Sequence, residues 1–201
     1  MTNESDRSDG RPPARGSPNW RRWSAGTDRA GAPSARPWVE TDGGTAGGDE
    51  AAFATYTDEE YGYTVSYPAD WSAGADAGGG ATFEDPTSMA GAVVFVDEGV
   101  ERDVAAYAER FEAEFAADDN VHDVELLDRR TVWLPSGHRG RAVECRYVGG
   151  APDERWRLTY LFVVAGTTGY TVGVDWDADI DFEAAARTVI ESFAPTADST
   201  E

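Results

Sequence analysis

The sequence predicts an α+β domain in which a central antiparallel β-sheet packs between helices, and three observations carry that prediction. Short segments alternate apolar and polar residues with the two-residue period of half-buried strands, as in Tyr63-Thr64-Val65-Ser66-Tyr67. Two longer segments space their apolar residues by three and four, the pattern of amphipathic helices. The strand segments are joined mostly by turns too short for a parallel crossover, so neighbouring strands must run largely antiparallel.

Taken in order, Phe53 to Thr57 and Tyr63 to Tyr67 read as the first two strands, the second ended by Pro68, which lacks a ladder donor. Trp71 returns the chain to the core. Ala81 to Glu84 and the apolar run Ala92 to Val96 make four strands before the first helix. Asp103 is placed to cap that helix, with Val104, Tyr107, Phe111 and Phe115 as its apolar stripe and Glu109, Arg110, Glu112 and Glu114 facing out. The helix ends near Asp118-Asp119. Val121 to Leu127 and Arg130 to Leu134 follow as two strands, and Pro135-Ser136-Gly137 turns the chain into Arg139 to Val148. A second turn, Gly149-Gly150-Ala151-Pro152-Asp153, leads to the plainest buried face, Trp156, Leu158, Tyr160, Phe162 and Val164. Leu161 and Val163 make its far half apolar on both sides. Tyr170, Val172, Val174 and Trp176 form the last long strand, and Phe182, Ala186, Val189, Ile190 and Phe193 the stripe of a second helix with Asp179 or Asp181 as its cap. Pro195 closes the domain.

Residues 1–52 obey different rules. They contain no Leu, Ile, Phe or Tyr and are built from Gly, Pro, Arg, Ala and Ser, too little apolar surface to offset ordering entropy. They are expected to be a disordered leader, or a stretch that belongs to a misassigned start, and 196–201 a disordered tail. Asn19-Trp20-Arg21-Arg22-Trp23 has the paired arginines of an export signal, but Ser24-Ala25-Gly26-Thr27-Asp28-Arg29 follows where an apolar run is required. As the sequence stands a cytoplasmic protein is expected; a different true start would allow a membrane-anchored protein outside the cell.

The formal charge is −21, and all 17 basic residues are arginine. The absence of lysine removes phosphate-loop, Schiff-base and kinase-type chemistries, which need its amine. The negative charge argues against sequence-independent nucleic-acid binding, which works by phosphate counterion release. No segment is long and apolar enough for a transmembrane helix. Such self-repulsion is relieved when ionic strength shrinks the Debye length to about 3 Å near 1 M, so the composition is similar to that of an extreme halophile. GC-rich coding is the competing origin of the missing lysine.

Gly62-Tyr63-Thr64-Val65-Ser66-Tyr67-Pro68-Ala69-Asp70-Trp71 resembles the opening signature of PsbP-like domains, an aromatic strand, a proline, then tryptophan, and Ser192-Phe193 is similar to their close. The resemblance spans about residues 53–195. It implies an α/β/α sandwich shared with a Ran-binding import factor, and a non-catalytic accessory or binding role. The partner it implies is another protein, with a membrane surface as one setting; a cytosolic regulator of a switch-type protein is the alternative. No catalytic, cofactor or metal residue carries over. Prokaryotic relatives are often lipid-anchored through an N-terminal cysteine, and this chain departs there, its one cysteine being Cys145.

Read on their own chemistry, the remaining candidates are few. Cys145 shares a strand face with Val143 and Tyr147, the position of a small buried residue rather than a nucleophile. His122 and His138 have no histidine or cysteine at metal-ligand spacing. A hydrolase using Ser136 and His138, or Cys145, is the enzymatic alternative, although residues within one hairpin turn are poorly placed to aim at each other and no nucleophile elbow is present. Asp175, Asp177, Asp179 and Asp181 alternate like a calcium loop, but Ile180 stands where glycine is required and Ala186 where glutamate is; solvated carboxylates are the expectation. Between residues 129 and 157 seven arginines face only three acids. Arg139, Arg141, Arg155 and Arg157 are therefore proposed to line one sheet face that receives a carboxylate-bearing partner or lipid headgroup, against the competing reading of cross-strand pairing with acids.

Overall fold

The computed structural model describes residues 52–75, 80–101, 103–149 and 154–196. Its elements are β1 (Phe53–Asp58), β2 (Tyr63–Pro68), β3 (Ser72–Ala75), β4 (Ala81–Glu84), β5 (Ala90–Asp97), α1 (Val104–Ala116), β6 (Val121–Trp133), β7 (Arg139–Gly149), β8 (Arg155–Ala165), β9 (Thr168–Asp177), α2 (Glu183–Ser192) and β10 (Ala194–Pro195). The expected leader up to residue 51, the tail beyond 196 and turn residues 150–153 lie outside the described residues.

Two antiparallel sheets result, a small one ordered β1-β2-β10 and a seven-stranded one ordered β3-β4-β5-β9-β8-β7-β6. The chain leaves β5 near the middle of the large sheet and re-enters it at the β6 edge. Four strand spacings of about 4.8 Å separate those positions, and a helix of 13 residues is about 20 Å long, so α1 is the length needed to cross the face between them. Asp103 caps it as expected, its Oδ1 accepting the Ala106 N–H at 2.9 Å.

The apolar stripe of α1 buries Tyr107, Phe111 and Phe115 against Val143, Cys145, Tyr147, Trp156, Leu158, Tyr160 and Phe162. On the opposite face α2 and the small sheet enclose a second core of Tyr63, Val65, Phe83, Val94, Leu161, Val163, Val172, Trp176, Val189 and Phe193. The two-sided apolar character of β8 is thus accounted for: its even positions meet α1 and its odd ones the other core. Gly173 of β9 lies beneath the Tyr160 ring, where a Cβ would sit 2.7 Å from that ring.

Three elements differ from the sequence expectation. Ser72-Ala73-Gly74-Ala75 has no apolar alternation, yet it forms β3 because β4 offers an unpaired edge. The two strands expected at 121–134 are one, since irregularities between His122 and Glu125 and between Leu126 and Asp128 bend the ladder without breaking it. Neither Asp179 nor Asp181 caps α2: the cap position is Phe182, which makes no side-chain cap bond and stacks on Trp71 at 5.4 Å. The preceding turn is closed instead by Asp177, whose Oδ1 accepts the Asp179 N–H at 2.9 Å.

Candidate functional site

Opposite residues in a ladder share a face, so register decides where each arginine goes. Across β7 and β8, Arg141 pairs with Phe162 and Arg146 with Arg157, so every odd-numbered residue of β7 opposes an even-numbered one of β8. Arg139 and Arg141 accordingly project on the α1 side with Val143 and Cys145. Arg155 and Arg157 project on the α2 side, where Arg157 opposes Trp176. The expectation that these four line one face is therefore corrected, because the parity of the β7–β8 connection sends the two pairs to opposite sides. Arg146, which the sequence reading left out of the site, joins Arg155 and Arg157.

Pairing with acids holds for some of the arginines and not for others. Arg129 pairs with Glu112 of α1, Arg130 with Asp128, Arg110 with Asp97 at 2.9 Å and Arg187 with Glu183 at 3.3 Å. Arg157 is the most heavily engaged. It pairs with Glu144, reaches Glu183 at 3.0 Å and lies 5.3 Å from the centroid of the Trp176 ring. This is compensation for a repulsive register, since Arg146 stands directly opposite it. Arg139, Arg141, Arg146 and Arg155 form no ion pair with any described residue. The Arg141 Nε is in addition shielded from solvent with no hydrogen-bond partner.

Beside the Arg157 network a cleft of about 510 Å³ opens between α2 and the far end of β6. Ala142, Leu161 and Trp176 make its floor, Val132 and Ile190 its walls, and Glu144 and Glu183, both held by Arg157, part of its rim.

The other candidates are placed as follows. Cys145 is buried, and desolvation followed by the charges of Glu112 and Glu144 pushes its thiol up to about 12. Ser136 and His138, expected to miss each other, come within 3.1 Å (Oγ to Nδ1), because Gly137 at φ +83° folds the turn back on itself. The pair is exposed at the tip of the β6–β7 hairpin, outside the cleft lining, and no described carboxylate orients the imidazole. His122 lies apart, on β6 opposite Val148. Among the described residues no three His, Cys, Asp or Glu side chains converge as metal ligands.

Asp175 departs from the expected solvated carboxylates. It alternates with the glycine and threonine positions of β9 that face α1, and so lies buried beneath that helix. Its Oδ2 accepts the Tyr147 hydroxyl hydrogen at 3.2 Å, its Oδ1 has no partner, and desolvation raises its carboxyl from 3.8 to about 7. The alternating aspartates concealed this, since three of the four do sit outside the core.

The class these features define is an α+β domain of the PsbP-like fold with an unevenly paired arginine surface. The structure superposes on cyanobacterial PsbP (CyanoP) from Synechocystis with a TM-score of 0.54 and 18% identity, over 76% of this chain and 98% of that one. LpqN, involved in cell envelope biogenesis of Mycobacterium tuberculosis, gives 0.49 and 15%, over 72% and 90%. A protein of unknown function from Pseudomonas aeruginosa gives 0.47 and 17%, over 71% and 96%. No family model and no curated protein sequence matches the chain.

Proposed function

We propose that this chain is a non-catalytic PsbP-like accessory domain that binds another protein through its arginine-bearing strands. The observation that carries the reading is the set of arginines without an ion pair to any described residue, Arg139, Arg141, Arg146 and Arg155, on a chain with 38 acids against 17 bases. With carboxylates in more than twofold excess, a guanidinium that serves only the fold readily finds one. Four that do not are available to carboxylates of a partner, and bidentate geometry keeps such contacts useful where salt screens point charges. The isolated Ser136–His138 pair and the shielded, proton-retaining Cys145 thiol favour binding over covalent catalysis. The composition supports function in concentrated salt.

The test is photo-crosslinking of the full chain in native extract at molar KCl, with Arg139→Gln/Arg141→Gln and Arg146→Gln/Arg155→Gln variants alongside. Loss of a discrete protein adduct in either double variant supports the reading. Identical adducts from the wild type and a quadruple variant, or a hydrolytic activity abolished by Ser136→Ala, would overturn it.

A further inference from the structure

β6 is the last strand of the large sheet, and among the described residues no strand pairs with its outer edge. Natural edges are usually blunted by bulges or charge. Here the bulges fall only in the first half of the strand. From Asp128 to Trp133 the register against β7 is unbroken, Asp128 opposite Glu144 through Trp133 opposite Arg139, which leaves six residues of regular edge. The exposed large apolar side chains of the described residues, Val124, Leu126 and Trp133, all belong to this strand, and Trp133 is 73% exposed.

The same stretch carries the unusual charge. Trp133 lies opposite Arg139 and Thr131 opposite Arg141, so these four residues share the α1 side of the sheet. Neither arginine is ion-paired with a described residue, and the small Thr131 stands between Arg141 and the edge. A strand added beside β6 would stand about 10 Å from β7, two strand spacings, a gap that an arginine and a glutamate span together. Exposed tryptophan flanked by arginine is also the composition of energetic hot spots at interfaces.

We infer that the 128–133 edge of β6 docks an extended segment of a partner protein that alternates acidic and apolar residues. Its backbone would add a strand to the sheet, its carboxylates would meet Arg139 and Arg141 on the α1 side, and its apolar side chains, on the other face, would lie beside Val132. The inference rests on the protein-binding reading above and assigns that binding to one edge and one peptide chemistry.

The experiment titrates the full chain in molar KCl with the capped octapeptide Glu-Val-Glu-Val-Glu-Val-Glu-Val, read by hydrogen exchange and light scattering. Binding that slows exchange within 128–133, weakens roughly tenfold in Arg139→Gln/Arg141→Gln, and is unchanged in Arg187→Gln supports the inference. An unchanged far-UV circular dichroism spectrum of the double variant shows that it still folds. Equal binding of a Lys-Val octapeptide, protection elsewhere in the sheet, or no binding at millimolar peptide would overturn it. So would doubled mass with protected 128–133 in the absence of peptide, which gives the edge to a second copy, or a Trp133-dependent blue shift with phosphatidylglycerol vesicles alone, which gives it to lipid. If the edge fails while Arg146→Gln/Arg155→Gln still loses its crosslinked adduct, the binding reading stands and only this site is wrong.

Discussion

Tyr147 donates its hydroxyl hydrogen to Asp175 Oδ2 across 3.2 Å beneath α1, between a strand near the sheet edge and its central strand. The Phe115 ring of the helix packs edge-on against Tyr147 at 5.2 Å. A carboxyl is thereby sealed under the helix with one oxygen unpartnered, which favours its neutral form.

That geometry fixes a pH dependence of unusual sign. The folded-state value of Asp175 is raised from 3.8 to about 7, so below roughly pH 4 both folded and unfolded forms hold the proton and the group costs nothing. Between about 4 and 7 only the unfolded chain releases it, and stability falls as pH rises; above 7 the loss is complete, on the order of 4 kcal/mol. Asp175→Asn should be more stable than the wild type at pH 8 and nearly equal to it near pH 3.5. Denaturant midpoints at three pH values decide this, and a pH-independent difference would remove the assignment.

Arg157 and Arg187 both pair with Glu183, yet their replacement should differ. Arg157→Gln strands Glu144, whose side chain is only 20% exposed, and removes the contact with Trp176, for an expected loss of about 1–3 kcal/mol. Arg187→Gln breaks an i,i+4 pair on the open surface and should change stability by less than about 0.5 kcal/mol. The double variant Arg157→Gln/Glu144→Gln should recover part of the first loss. Equal effects of the two single changes in urea titrations would contradict the network.

Gly173→Ala should cost about 1–3 kcal/mol, through overpacking rather than backbone strain, because the added Cβ meets the Tyr160 ring at 2.7 Å. Adding Tyr160→Leu should return a portion of it. A neutral Gly173→Ala variant would mean that the ring moves freely.

Raising KCl from 0.1 to 2 M should raise the thermal midpoint, since the formal charge of −21 repels itself less as the Debye length contracts. An equal response to added sucrose would point instead to general exclusion of solute from the surface.

The parts of the fold written in local pattern were legible. The Tyr107-Phe111-Phe115 stripe, the Asp103 cap and the alternation from Trp156 to Phe162 each lie where the sequence puts them, because helix stripe, cap and strand period depend on neighbours within a few residues. β3 was not legible, since its hydrogen bonds come from β4 and its own side chains are small. The Asp175 environment was hidden as well: an aspartate in an alternating acidic run looks solvated until the helix that covers it is in place.

What the sequence by itself determined is the α+β class, the order of both helices and most strands, the acidic charge and the presence of an arginine-rich block between residues 129 and 157. What only the tertiary structure decided is which arginines share a face and which find acids. Side chains alternate along a strand with period two, so the parity of one connection, which leaves no trace in local pattern, sends Arg139 and Arg141 to one side and Arg155 and Arg157 to the other.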